Sequence, residues 1–252
     1  MPRYDFRTPR LYLDEPLREG VSALLSRAQA NYLGNVLRLK PGDSVLVFNG
    51  RDGEWRARLV QPRKGQLSLT LETCSRAQTL APDLHYLFAP LKHARLDYMV
   101  QKAVEMGASR LQPVITRHVQ VGRVNLERMR ANAIEAAEQC GILTLSEICA
   151  PLPFDRMLRE MDSSRLLVFC DEDAPVENPV AGLAAARGER RPGTFPVAVL
   201  IGPEGGFAEE ERRALLARPN SVRLALGPRI LRADTAAVAA LALVAAVLGD
   251  WN

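Results

Sequence analysis

The chain has 252 residues, 47% of them hydrophobic and 25% charged, with a formal net charge of +4, which suits a soluble globular protein of two modest domains or one large one. Four scattered cysteines (Cys74, Cys140, Cys149, Cys170), no Cys-x-x-Cys and three histidines that do not cluster with them argue against a structural metal site and for reduced thiols in the cytoplasm. The first ten residues alternate charged and apolar groups, unlike a secretory signal, and the longest apolar run, 235–248, is too short to span a bilayer, so no membrane association is expected.

Charge is uneven along the chain. Residues 1–75 hold twelve Lys and Arg against eight Asp and Glu, while the remainder is balanced. A basic first third suggests an anionic macromolecule as partner. This part reads as β-rich. Residues 10–13 alternate, 26–39 form a helix with Leu33, Val36 and Leu37 on one face, and 44–48 and 54–60 are strands. Between those strands, Asn49-Gly-Arg-Asp-Gly53 is a hairpin turn, and 67–71 is one more strand. Several short strands with tight turns make a small barrel or sandwich. Arg3, Arg7, Arg10, Arg38, Lys40, Arg51, Arg56 and Arg58 are its candidate phosphate contacts.

Residues 76–83 read as a linker. Beyond it, strands and helices alternate: strand 85–89, helix 95–106 stopped by Gly107, strand 110–115, and a helix capped by Asn125 and running to Cys140. Strand 165–169 follows, trailed by the acidic Asp171-Glu-Asp173, then helix 178–187. Such alternation predicts an α/β unit with a parallel sheet and helices on both faces.

Two stretches stand out. Apolar 197–201 ends in Gly202-Pro-Glu-Gly-Gly206, and apolar 222–226 ends in Gly227-Pro-Arg-Ile-Leu-Arg232. Each is a buried strand cut off by a glycine-proline turn, one strand apart, and ligands in open α/β sheets sit beyond such strand ends. Glycines there admit a ligand to the main chain, and Pro203 and Pro228 stiffen the turns. Neither a phosphate loop nor a Gly-x-Gly-x-x-Gly fingerprint occurs, which argues against a nucleotide-phosphate enzyme. The apolar stretch 236–248 reads as a helix buried on nearly every side.

Ile201-Gly-Pro-Glu-Gly-Gly-Phe207 and Leu226-Gly-Pro-Arg-Ile-Leu-Arg-Ala-Asp-Thr-Ala236 resemble the two signature loops of the RsmE family, the uridine-N3 methyltransferases of small-subunit (16S) ribosomal RNA in the SPOUT class. Gln101-Lys-Ala-Val-Glu-Met-Gly107 and Glu135-Ala-Ala-Glu-Gln139 resemble two further family motifs. One departure is clear: Ala233-Asp-Thr-Ala236 stands where the family usually has Thr-Glu-Thr-Ala.

The resemblance implies a PUA-like RNA-binding domain over 1–75, the linker 76–83, and a SPOUT S-adenosylmethionine-dependent methyltransferase domain over 84–252. It also implies a C-terminal trefoil knot, a homodimer, no metal, and 16S ribosomal RNA within the small ribosomal subunit as partner. On the matching positions, Leu200, Gly202, Glu204, Gly205, Leu226, Gly227, Ile230, Leu231 and Thr235 are expected at the cofactor. Arg232 and Asp234 are expected in the catalytic neighbourhood, Asp234 alternatively as a first-turn helix acid. Arg7 and Arg10, which flank the first strand where the family's basic N-terminus lies, are the foremost expected RNA contacts, and Lys92 and Arg95, with Lys102, are expected near the RNA. The rival reading is an inactive RNA-binding or ribosome-assembly factor of the same fold, to which only the shortened carboxylate at Asp234 points.

Overall fold

The computed structural model describes residues 5, 7–63, 65–120, 123–175 and 177–251, so Arg3 lies outside the described residues. The chain forms two units, residues 1–80 with 137–145, and residues 81–136 with 146–252.

The first unit is a five-stranded sheet. Its strands are β1 (Arg10–Tyr12), β2 (Ser22–Leu24), β3 (Ser44–Phe48), β4 (Glu54–Arg63) and β5 (Gln66–Arg76), in the order β1-β3-β4-β5-β2. Only the β1–β3 pair is parallel. Alternation drives one face inward: Val45, Val47, Ala57, Leu59, Leu69 and Leu71 form the core with Leu11, Leu13 and Leu33.

The helix expected over 26–39 is shorter and changes type. Ser26 caps α1 (Arg27–Asn31) through a capping box with Gln29, and a π-helical turn, Tyr32–Val36, follows. Gly34 sits in this turn, and the Leu37 N–H bonds the Tyr32 carbonyl five residues back. The extra residue breaks the expected face: Leu33 is buried, whereas Val36 is 61% exposed.

The second unit is built on β6 (Leu84–Phe88), β7 (Arg110–Ile115), β8 (Glu147–Ile148), β10 (Leu166–Cys170), β11 (Val197–Ile201) and β12 (Ser221–Leu224), with β9 (Leu152–Pro153) pairing to β7. The sheet order is β12-β10-β11-β6-β7-β8, and the registered pairs are all parallel. All five residues of β11 are buried, as a strand covered on both faces requires.

Period-two alternation assigns the faces. Leu87, Leu167, Phe169, Ala198 and Leu200 pack with Phe154 and Met157 of α4 (Phe154–Glu160) and Leu215 of α6 (Glu209–Ala217). On the other face, Tyr86 donates its hydroxyl to Met99 Sδ in α2 (His93–Glu105) at 2.8 Å. There α7 (Ala233–Val247) packs against α2, β11 and α5 (Pro179–Arg187). The helix α3 (Leu126–Cys140) starts with Asn125 Oδ1 accepting the Arg128 N–H.

The α7 stretch is not buried all round. Ala237, Ala240, Leu241 and Val244 face inward, while Val238, Ala242 and Leu243 are half-buried and Ala246 is exposed. No helix of the described residues is long and apolar enough to cross a membrane.

Candidate active site

Three parallel strands end at one cavity of about 460 Å³. The end of β10 and the residues after it contribute Cys170, Asp171 and Glu172, the end of β11 and its turn contribute Ile201 to Glu204, and β12 runs on into Leu224–Ala233. Ala236 of α7 completes the wall. The size falls in the range of small-molecule pockets, and the place is the carboxyl-end crevice of an open α/β sheet.

The two glycine-proline turns thus meet, although β10 lies between their strands. Each glycine has its own reason. Gly227 has φ +91° and open space around its Cα, where any side chain would intrude. Gly202 lies against the Phe207 ring, which a Cβ would approach to 3.1 Å. Of Gly205 and Gly206, only Gly206 takes a positive φ, +67°, and its N–H closes the turn onto the Pro203 carbonyl at 3.0 Å.

Of the residues expected at the cofactor, Gly202, Glu204, Leu226, Gly227, Ile230 and Leu231 line the cavity. Three do not. Leu200 is fully buried in the core, because residues of β11 alternate and its side chain points at α4 and α6. Gly205 faces His118. Thr235 is exposed on α7. Ile230 is 92% exposed, a rim residue rather than a wall.

Arg232 lines the cavity and is the N-cap residue of α7. Asp234 sits half-buried in the first turn of α7, outside the cavity lining, where the helix dipole favours a carboxylate, and it accepts the Thr235 N–H.

The sequence reading missed the β10 side of the pocket. Its signal was the acidic run straight after an apolar strand. The Asp171 carboxylate is fully buried and takes Arg212 Nε at 2.8 Å and Arg223 Nη2 at 2.8 Å. Burial pushes its pKa up, but hydrogen bonds from Arg212, the Asp173 N–H and Arg223 outweigh that and hold it below the ordinary carboxylate range. Next door, burial and then the Asp171 charge push the Cys170 thiol up to about 12, so it is no thiolate nucleophile.

The basic candidates divide. Arg95 reaches Glu204 at 3.5 Å, Lys92 is exposed at the start of α2, and Lys102 is tied to Glu105 at 2.7 Å. In the first unit Arg7, Arg38 and Lys40 are exposed, while Arg51, Arg56 and Arg58 pair with Asp14, Asp5 and Glu72. Arg10 is a correction. Its guanidinium is buried, bonded to Glu54 at 2.8 Å and to the carbonyls of Ala137, Glu138 and Ile142, so it is turned inward rather than presented to a phosphate.

The family described as "RNA methyltransferase domain" matches residues 79–245, and "RNA methyltransferase PUA domain" matches residues 25–72. A ribosomal RNA small subunit methyltransferase E of Rickettsia conorii is 31% identical over 93% of this chain and 94% of its own length. A solved ribosomal RNA small subunit methyltransferase E of Neisseria gonorrhoeae, bound to S-adenosyl methionine, superposes with TM-score 0.83 at 26% identity, covering 98% of this chain and all of that one. A Legionella pneumophila structure of a putative methyltransferase with the same cofactor gives TM-score 0.77 at 29% identity, covering 95% of this chain and 98% of that one. With two strand-end glycine turns around one cavity and these matches along nearly its whole length, the chain belongs to the ribosomal RNA small subunit methyltransferase E family.

Proposed function

We propose that this protein methylates N3 of a uridine in 16S ribosomal RNA, with S-adenosylmethionine as donor, in the cytoplasm. The observation that carries it is the meeting of the turns Gly202–Gly206 and Gly227–Arg232 at one cavity. The residues present fit that donor. Main-chain groups of Gly202 and Gly227 are accessible to an adenine edge, Ile201, Leu226 and Leu231 offer apolar contact, and Arg229 and Arg232 offer cations for a carboxylate. Glu172 and Glu204 give the lining the negative charge that suits a sulfonium.

When bound, S-adenosylmethionine supplies a methyl group already activated by its sulfonium. The chain's own task is alignment and charge control at the uracil. In this reading Arg232, at the cavity lining, steadies negative charge on a uracil carbonyl as N3 loses its proton to solvent water. Asp234 acts in this reading from the first turn of α7, behind Arg232. An inactive assembly factor is disfavoured because both glycine turns are intact and open on a cavity.

The same reading gives the first unit to RNA, with Arg7 as a phosphate contact, and adds Lys92 and Arg95 near the second. It includes a trefoil knot formed by the C-terminal segment. It also includes a homodimer, supported by the apolar outer stripe of α7 at Val238, Ala242, Leu243 and Ala246, since a solvated helix face is ordinarily polar. The test is calorimetric titration of the protein and of Gly227→Arg with S-adenosylmethionine, beside mass spectrometry of ribosomal RNA from a strain lacking the gene. Binding lost only in the variant, with one methyl-uridine missing from the strain, is the expected pair of results. Unchanged affinity in Gly227→Arg refutes the pocket assignment.

A further inference from the structure

The turn 202–206 is gripped from outside the cavity by one side chain. His118, just beyond β7, has Nδ1 3.0 Å from the Gly205 carbonyl oxygen and 3.2 Å from that of Gly206. Carbonyl oxygens only accept, so Nδ1 carries the proton and donates, whether the ring is neutral or charged. Gly205 leaves room for it: a Cβ there would already stand 3.4 Å from the Cβ of His118.

His118 is itself held in place. Glu211, buried in the first turn of α6, accepts the Arg117 N–H at 2.8 Å and the Ala208 N–H at 2.9 Å. One carboxylate therefore joins the residue before His118 to the segment that follows the turn. With the Gly205 and Gly206 carbonyls directed at the imidazole, Gly202, Pro203 and Glu204 are left to line the cavity.

We propose that His118 is a positioning residue for methyl-donor binding: its Nδ1–H fixes the glycine turn in the shape that lines the pocket, and Glu211 sets His118. This rests on reading the cavity as the S-adenosylmethionine pocket. A turn that lacks the donor populates other shapes, and apparent affinity falls by the competent fraction lost.

The test compares full-length His118→Leu, His118→Asn and unaltered protein. Each is titrated with S-adenosylmethionine by calorimetry, melted without ligand, and assayed for methyl transfer to small-subunit RNA. Asn places an amide N–H close to where Nδ1–H stands. The Leu variant is expected to bind S-adenosylmethionine roughly fivefold to tenfold more weakly, from the loss of one shared hydrogen bond. Its KM for S-adenosylmethionine rises by the same factor, its KM for RNA stays put, and Asn recovers most of the loss. Unaltered affinity in the Leu variant overturns the proposal. So does a loss that Asn fails to recover while melting normally, or one shared equally by the KM for RNA. If the unaltered protein itself does not bind S-adenosylmethionine, the pocket reading fails and this inference goes with it, an outcome the control titration separates from the others.

Discussion

Gly206 stands so close to Glu172 that a Cβ on the glycine would overlap the carboxylate oxygen Oε1. Gly206 also has φ +67°, which L side chains rarely adopt. Gly206→Ala therefore meets backbone strain of about 1–3 kcal/mol, while the exposed Glu172 carboxylate, at the end of a flexible side chain, can swing clear of the added methyl. Titration calorimetry is expected to show S-adenosylmethionine affinity down by about tenfold or more. Adding Glu172→Ala leaves the positive φ in place, so the double variant recovers little of the affinity. Full affinity in Gly206→Ala alone would show that the turn tolerates a different shape.

Asp171 is the hinge between the pocket and two arginines. Asp171→Asn leaves Arg212 and Arg223 without their shared carboxylate and is expected to cost about 3–5 kcal/mol in urea unfolding at neutral pH. The pH dependence has a definite sign. The folded pKa lies below the unfolded value near about 3.9, so the stabilisation is complete above that value and is lost as pH falls through the lower folded one. The variant should show a flatter acid limb in stability measured against pH. An unchanged acid limb would assign acid unfolding to other carboxylates.

Arg7 and Arg10 are three residues apart and should behave oppositely. Arg7→Ala is expected to weaken RNA binding and to reduce the slope of log affinity against log salt by about one, with no change in melting. Arg10→Ala strips the buried Glu54 of one of its two arginine partners, Arg76 being the other, and unbonds three carbonyls. A loss of about 3 kcal/mol in stability with an unaltered salt slope is expected. A reduced slope in Arg10→Ala would restore it as a phosphate contact.

His85 gives a second pH signature. Burial, and then the positive charge of Arg165, lower its pKa to about 4 despite Asp83 nearby. Folding thus favours the neutral ring. Stability is unaffected above the unfolded value near about 6.5 and falls as pH drops from there towards the folded value. Proton NMR of the His85 C2–H is expected to show a midpoint near 4. A midpoint near 6.5 would mean the ring is solvated. His85→Gln should remove this part of the slope.

Strands β3 and β11 have the bounds that their sequences predict, because apolar runs cut by Asn, Gly or Pro leave little choice, and β7 also matches although its run carries Gln112 and Pro113 inside it. The two glycine turns are legible for the same reason. The α6 helix is not: it opens with Glu209, Glu210 and Glu211, and Leu216 is half exposed beside buried Leu215, so its periodicity is faint. The π-helical turn is equally hidden, since Gly34 permits it without demanding it. Asp171 and His118 escape for a different reason. Their partners Arg212, Arg223, Gly205 and Gly206 lie about 40 to 90 residues away, and only the sheet order brings them together. Arg10 misleads because a basic residue beside a basic terminus looks solvated, while its buried partner Glu54 lies far along the chain.

The chain returns to its first unit late. The last turn of α3 and the residues up to Leu145 complete a body whose other part ends at Leu80. During synthesis, the ribosome must therefore add about 65 further residues before that body has all its pieces. At translation speeds of about 5–20 residues per second, the wait lasts seconds. Over that interval all five strands of the sheet are already made, but the Arg10 guanidinium lacks the carbonyls of Ala137, Glu138 and Ile142 that it will later bind.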